Sequence, residues 1–254
     1  VDGIHSTSSV YSHNILNSKV DKDAYFVNLV NTQVDGTKHS NSPDQATGTL
    51  PISDSMIADW ENDAAVSVIN SPCPYIIDSD TVTIGPVKIN CNLEISGTSV
   101  VTLNGPVWVV GNIGIKNSAI LKINPSLSSN SVAIVADNTS NRLTSGKVTL
   151  ENSAQFQNSG TDGSYIMVIS QNNSAENSGA ETAIDIKNSV SGELLLYAGH
   201  GEILLQNSVD LREVTGYKIR LKNTAQVIYK TGLANLLFTS GPSGGYSIIN
   251  WQEI

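Results

Sequence analysis

The sequence is short of charge, and shortest of positive charge. Only 15% of its 254 residues are Asp, Glu, Lys or Arg, and 14 basic residues face 23 acidic ones, for a net charge of −9 and a pI near 4.8. Such a chain repels nucleic-acid phosphates, which removes nucleic acid from the expected partners. The same balance argues against a polybasic membrane patch. No apolar run is long enough to span a bilayer, so no direct membrane insertion of this segment is expected. Cysteine occurs twice, with no histidine close by in the sequence, which does not meet zinc-ligand spacing. No Gly-rich phosphate loop opens a helix, and Ser and His occur without a nucleophile-elbow pattern. No metal and no cofactor are expected. Neither a starting Met nor a signal peptide is present, which reads as a mature or excised ectodomain anchored through a missing N-terminal segment.

What the chain has is Asn, Ser, Thr and Gly, arranged in a repeat. Lys218-Ile219-Arg220-Leu221-Lys222-Asn223-Thr224 reads as a short alternating strand followed by a sharp corner. The same phrase recurs around Asn117, Asn152, Asn188 and Asn207, and around Gly97, where Gly takes the place of Asn. Asn and Gly are the residues that best tolerate a left-handed backbone, so the recurrence marks a structural corner. Successive corners are separated by 20, 35, 36, 19 and 16 residues, a unit of about twenty lengthened where loops intrude. A unit that small cannot bury its own apolar face and must stack on its neighbours.

Each unit holds three strands, as in Val107-Trp108-Val109-Val110, Ile113-Gly114-Ile115 and Ile120-Leu121-Lys122-Ile123. The alternation of apolar and polar residues points one face inward. The expected fold is all-β: a right-handed parallel β-helix with three strands per coil, capped by an N-terminal helix. A β-sandwich is the alternative, since it too has many short strands, but hairpin turns are missing between these. Three regions are expected. Residues 1–50 form an arm of mixed strand and loop. Residues 51–66 form a helix with Ser53 as N-cap and Ile57, Trp60 and Ala64 on one face, placed to cover the open end of the first coil. Residues 67–254 form the coils, closed by a final strand carrying Trp251.

Two longer intrusions, residues 137–146 and 171–182, leave the same corner of neighbouring coils and are expected on one edge. Loops on one edge of a rigid scaffold are a common place for binding, although tolerated excursions read the same way. The candidate binding residues are Asn138, Arg142, Asn172, Asn173, Glu176 and Glu181, of which Arg142, with the two glutamates, would add a charge-paired contact to a polar partner. Cys73 and Cys91 lie 18 residues apart, close to one coil. They read either as a disulfide between adjacent coils, which would fit an oxidising setting, or as two unrelated buried thiols.

Three stretches resemble a family of uncharacterised candidate-phylum bacterial surface proteins: Pro51-Ile52-Ser53-Asp54 with Trp60, Gly105-Pro106-Val107-Trp108-Val109-Val110-Gly111-Asn112, and Ser240-Gly241-Pro242 leading to Trp251. The resemblance runs from about residue 20 to the end. It implies a prepilin-like or anchored N-terminus joined to a β-helical ectodomain, similar to type IV pilus accessory proteins, and carries no catalytic residues with it.

Enzyme readings fit less well. Gly199-His200-Gly201 with Arg220 is similar to a polygalacturonase motif, but no adjacent acid pair stands upstream. A lyase would set Arg142, Arg212 or Arg220 against Asp185, Asp210 or Glu213, and would use calcium, for which Asp78-Ser79-Asp80 is a thin signal. The sequence therefore favours a non-catalytic extracellular domain, adhesive or structural, that meets a surface glycan or cell-surface protein. A self-assembling filament subunit, or a partner of pilus subunits, is the alternative, and a polysaccharide lyase or hydrolase comes after it.

Overall fold

A computed structural model describes residues 1–44, 50, 52–207, 209–222, 225–227 and 237–238. Strands make up 49% of the chain and helix 6%, so the protein is mostly β. The described strands pair in parallel throughout. Parallel pairing rules out a sandwich built from hairpins, because adjacent antiparallel strands are what hairpins make. The architecture is solenoid-like, with parallel strands in curled sheets. The chain divides into two compact units, residues 1–49 and the main body from Leu50.

In the main body three rows of strands follow one another in chain order. The first row runs Val68–Ile69, Val87–Ile89, Val107–Val109, Asn130–Ala136 and Ile166–Ser170, and enters the long strand Leu194–Gln206. The second runs Tyr75–Asp78, Leu93–Ser96, Ile113–Ile115, Val148–Leu150 and Thr182–Ile186, and meets the other half of that long strand. The third runs Thr81–Ile84, Val100–Leu103, Ile120–Ile123, Gln155–Gln157, Ser191–Gly192 and Asp210–Leu211. Register is in phase, so like sits on like: Val87 beside Val107, Leu93 beside Ile113 beside Val148, Val101 beside Leu121. These inward residues form one continuous buried core along the solenoid.

The corners between second and third rows carry the Asn repeat. Gly97, Asn117, Asn152, Asn188 and Asn207 all have φ between 56° and 66°. Asn152 Nδ2 donates to Asn117 Oδ1 at 3.4 Å, Asn188 Nδ2 to Asn152 at 2.9 Å, and Asn207 Nδ2 to Asn188 at 3.0 Å. The amides thus link successive coils as well as tolerating the left-handed backbone. A Cβ on Gly97 would stand 2.2 Å from Ser79 Oγ, so a larger residue at this corner would require the Ser79 side chain to shift. Asn223 lies outside the described residues, as does the stretch leading to Trp251. Cys73 and Cys91 are joined in a disulfide with Cα atoms 5.8 Å apart.

The helix spans Asp54–Ala64, with Ser53 Oγ accepting from Met56 N at 3.3 Å as N-cap. Its seat differs from the one expected. Rather than lying over the open end of the first coil, it packs on the outer face of the first row. Ile52, Ile57 and Trp60 bury against Ala133, Val135, Met167, Ile169, Leu195 and Tyr197. The physical reason lies in the strands it covers. Val132-Ala133-Ile134-Val135-Ala136 and Ile166-Met167-Val168-Ile169 are buried on both faces, and apolar outward side chains there require a cover. The first coils do not make that demand: Lys88 alternates outward between buried Val87 and Ile89.

Within residues 1–50, expected as an arm of mixed strand and loop, the described residues 1–44 form a small coil stack of their own. Strands Val10–Leu16, Ala24–Val30 and Lys38–Ser40 pair in parallel, as do His5–Ser6, Lys19–Val20 and Gln33–Val34. One turn is 14 residues, the separation of the Asn28–Asn14 and Asn31–Asn17 amide bonds. Val10, Ile15, Val20, Ala24 and Phe26 fill its core. On its outside, Tyr11, Tyr25 and His39 stack with ring centroids 4.2 Å apart.

Candidate functional site: a braced loop ridge over a buried polar cluster

The two insertions are built as one object. The first closes on itself: Asn141 N donates to Asn138 O at 2.8 Å, Asn141 Nδ2 to Thr144 Oγ1 at 2.8 Å, and Asn138 Oδ1 accepts from Ser140 N at 3.2 Å. The second is bonded onto it. Asn173 N donates to Arg142 O at 3.0 Å, Asn172 Nδ2 to Ser145 O at 2.8 Å, and Ser170 Oγ to Gly146 O at 2.6 Å. Glu176 N then donates to His200 O at 3.2 Å, which ties the second insertion to the strand beyond it. Backbone groups that loops usually leave to water are here satisfied by the neighbouring loop, so the pair forms a single ridge. Its crest is exposed: Thr139, Ser140, Asn141, Leu143 and Thr144 on one side, and 176–180 on the other.

The candidate residues divide between crest and base. Glu176 is exposed and Asn138 half-buried on the ridge. Asn172 is fully buried and serves the brace. Asn173 is half-buried, with its carbonyl accepting from Asn177 Nδ2 at 2.8 Å. Glu181 accepts from Lys147 Nζ at 2.7 Å.

Arg142 folds back on Asp137, with Nε 2.8 Å from Oδ1 and Nη2 2.6 Å from Oδ2. Asp137 is fully buried, and a planar fork is the donor that best satisfies a buried carboxylate. Arg212 sits 3.5 Å from Glu193, and Arg220 donates to Glu202 at 2.5 Å, while Asp185 accepts from Gln206 and lies 3.5 Å from Lys187. Asp78 accepts from Ser96 Oγ at 3.0 Å, within the first corner.

Beneath the ridge lie groups that sequence reasoning did not bring together. Glu61, on the buried face of the helix, is only 7% exposed and faces Asp137. Burial, reinforced by the Asp137 charge, pushes Glu61 up to about 8, against the pull of Arg142 and Lys88. Glu61 is therefore a neutral acid at pH 7 beside Asp137. Trp108 Nε1 donates to Asp137 O at 3.1 Å, and Lys88 Nζ lies 3.8 Å over the Trp108 ring.

His200 stands at the end of this cluster. Its Nδ1 lies 2.8 Å from Glu176 Oε2, and its Nε2 lies 3.0 Å and 3.1 Å from the two oxygens of Asp54 in the first turn of the helix. Burial lowers the imidazole pKa, but the hydrogen bonds and charges of Asp54 and Glu176 outweigh it and hold it above the usual value. Tyr197 is raised to about 12 by burial and the Asp54 charge, and donates to Ile52 O at 2.5 Å. The polar atoms of Asp137, Arg142 and His200 are thus engaged within the protein, where they join helix, ridge and strand.

In comparisons with protein-family models, curated proteins and solved structures, nothing matched this chain.

Proposed function

We propose that this chain is a non-catalytic extracellular surface domain, a right-handed parallel β-helix of three strands per coil, whose contact surface is the loop ridge of residues 137–146 and 171–182. The observation that carries the reading is the bracing of those two insertions into one object. Coil side chains are committed to the core, yet the ridge, which has little core to fill, is held in a fixed shape by hydrogen bonds from loop to loop. Pre-ordering a polar surface reduces the entropy lost on binding. A crest of Thr, Ser and Asn around the exposed Leu143 suits a glycan or a polar protein surface, where hydroxyls and amides meet hydrogen-bonding groups and one apolar contact adds burial. The disulfide between Cys73 and Cys91 supports an oxidising location. The resemblance of the sequence to pilus-associated surface proteins supports anchoring at a cell surface.

A second reading, a filament subunit, has its own observation. Val68–Ile69, Tyr75–Asp78 and Thr81–Ile84 are terminal strands of their sheets, and the helix that was to cover them packs elsewhere. Sedimentation over a concentration series separates the two: a filament subunit grows with concentration and a binding module does not.

The test of the main reading is a glycan array and whole-cell attachment assay with intact protein and with the variant Leu143→Asp/Ala180→Asp. Both positions are exposed, so the fold is retained while the crest gains charge. Attachment by the intact protein that the variant loses supports the ridge; attachment unchanged by the variant sinks it.

A further inference from the structure

A neutral imidazole carries one N–H, and His200 is bonded to carboxylates through both ring nitrogens. Asp54 is held below its ordinary carboxylate range: burial raises it, and His200, Gln171 and Arg142 more than offset that. With an anion at each end, the observed bridge is satisfied only by the doubly protonated ring. In the neutral ring one nitrogen turns a lone pair towards a carboxylate oxygen, and that contact becomes repulsive.

We propose that His200 is a proton-operated latch, which as imidazolium clamps the second insertion (through Glu176) to the first turn of the helix (through Asp54), and on losing its proton releases the insertion. Three elements meet here that are far apart in the chain. Asp54 is 146 residues from His200, and Glu176 is 24 residues away. The ring sits on a fixed support. A Cβ at Gly201 would stand 2.2 Å from Ala183 Cβ and 2.7 Å from Asn172 O, so the strand is pressed against the base of the insertion and cannot follow a moving partner. The movable side is the insertion, whose residues 176–180 are exposed. The His200 side chain is 28% exposed, so protons reach it from solvent.

The charged and titratable groups around the ring are few. The helix contributes Asp54, the second insertion Glu176, the first insertion Arg142 acting on Asp54, and the strand itself Tyr197, which stays neutral and bonded to Ile52. Glu61, pushed up to about 8, faces Asp137 and Arg142, and His200→Gln separates its titration from that of the ring. The net effect of the neighbours of His200 places the release above the ordinary histidine range. Domains that attach at lower pH and detach at higher pH would use such a device. That consequence for attachment rests on the ridge being the contact surface; the latch itself does not.

The test is amide hydrogen exchange of residues 174–181, corrected for the intrinsic pH dependence of exchange, alongside an NMR titration of the His200 ring. In the intact protein the ring should titrate above pH 6.5, the ordinary histidine value. Protection of 174–181 should fall across the same interval by roughly tenfold, the loss of one charge-assisted hydrogen bond. His200→Gln should remove the step. Should His200→Gln fail to fold, Glu176→Gln alters an exposed side chain, and should lower the ring titration and flatten the protection profile. Equal protection on both sides of the ring titration, or a step that survives in the folded variant, overturns the latch. Attachment measured over the same pH range is read separately. A protection step without pH-dependent attachment counts against the ridge as contact surface and leaves the latch supported. No step counts against the latch, whatever attachment does.

Discussion

Glu61, on the buried face of the helix, lies close enough to Asp137, at the root of the first insertion, for the Asp137 charge to hold its proton in place. Burial, reinforced by the neighbouring Asp137 charge, pushes Glu61 up to about 8, while the Arg142 fork occupies both oxygens of Asp137. The pair couples the seat of the helix to the ridge.

A pH dependence of stability follows from that proton. Unfolded, Glu61 titrates near 4.5; folded, near 8. Between those values the folded state binds the extra proton, so the stabilisation is complete below 4.5 and is lost as pH rises through 8. Denaturant unfolding of Glu61→Gln should show a flatter pH profile than the native protein, which should lose on the order of 1–3 kcal/mol more than the variant across this window. Parallel profiles would mean that Glu61 does not hold the proton.

Arg142→Ala removes the fork from a fully buried carboxylate. Breaking one partner of such a pair typically costs about 3–5 kcal/mol, and the partial exposure of Arg142 places this one at about 2–4. The loss should appear as a lower midpoint in thermal unfolding. Arg142→Ala with Asp137→Asn should recover part of it, because the stranded charge is then gone.

Asn188→Val tests the corner ladder. The native φ of 59° is strained for a β-branched residue, and two inter-coil amide bonds are lost with the side chain. A destabilisation of roughly 1–3 kcal/mol is expected by chemical denaturation. A change within error would mean that the corner behaves as ordinary surface.

Trp60→Ala tests the seat of the helix. Trp60 is 1% exposed and packs on the outer face of the first strand row. The cavity should cost about 3–5 kcal/mol. It should also raise hydrogen exchange in Asn130–Ala136 and Ile166–Ser170, the strands whose outer face the helix covers. Exchange rising only in the first coil would return the helix to the end-capping position.

The corners were legible in the sequence because a left-handed backbone admits few residue types, and so repeats them visibly. The insertions were legible as breaks in a steady period. The flank position of the helix left a signal that alternation alone did not use. Val132–Ala136, Tyr165–Ile169 and Leu194–Tyr197 are continuous apolar runs, whereas Val87-Lys88-Ile89 alternates, and a continuous run in a strand means burial on both faces. The 14-residue coils of the first unit were also present, in Asn17-Ser18 with Asn31-Thr32 and in Val20-Asp21 with Val34-Asp35, a shorter period than the twenty-residue unit that dominates the chain. The cluster under the ridge was not legible. Asp54, Glu61, Asp137 and His200 meet only because the helix seats on the flank, and no spacing in the sequence encodes that docking. The partner of Arg142 was not legible for the same reason. Asp137 lies five residues away at the base of the same loop, and becomes a strong attractor only once it is buried.

The most direct test of the ridge as the contact surface is a paired attachment measurement. Leu143→Asp/Ala180→Asp places two charges on the crest, and Gln155→Asp/Gln157→Asp places two on the exposed face of the third strand row. Both variants carry the same added charge, so general repulsion cancels in the comparison. With both confirmed folded by thermal unfolding, the crest variant should lose attachment to cells or arrayed glycans, and the sheet-face variant should retain that of the intact protein. Equal loss in both, or loss in the sheet-face variant alone, would contradict the account.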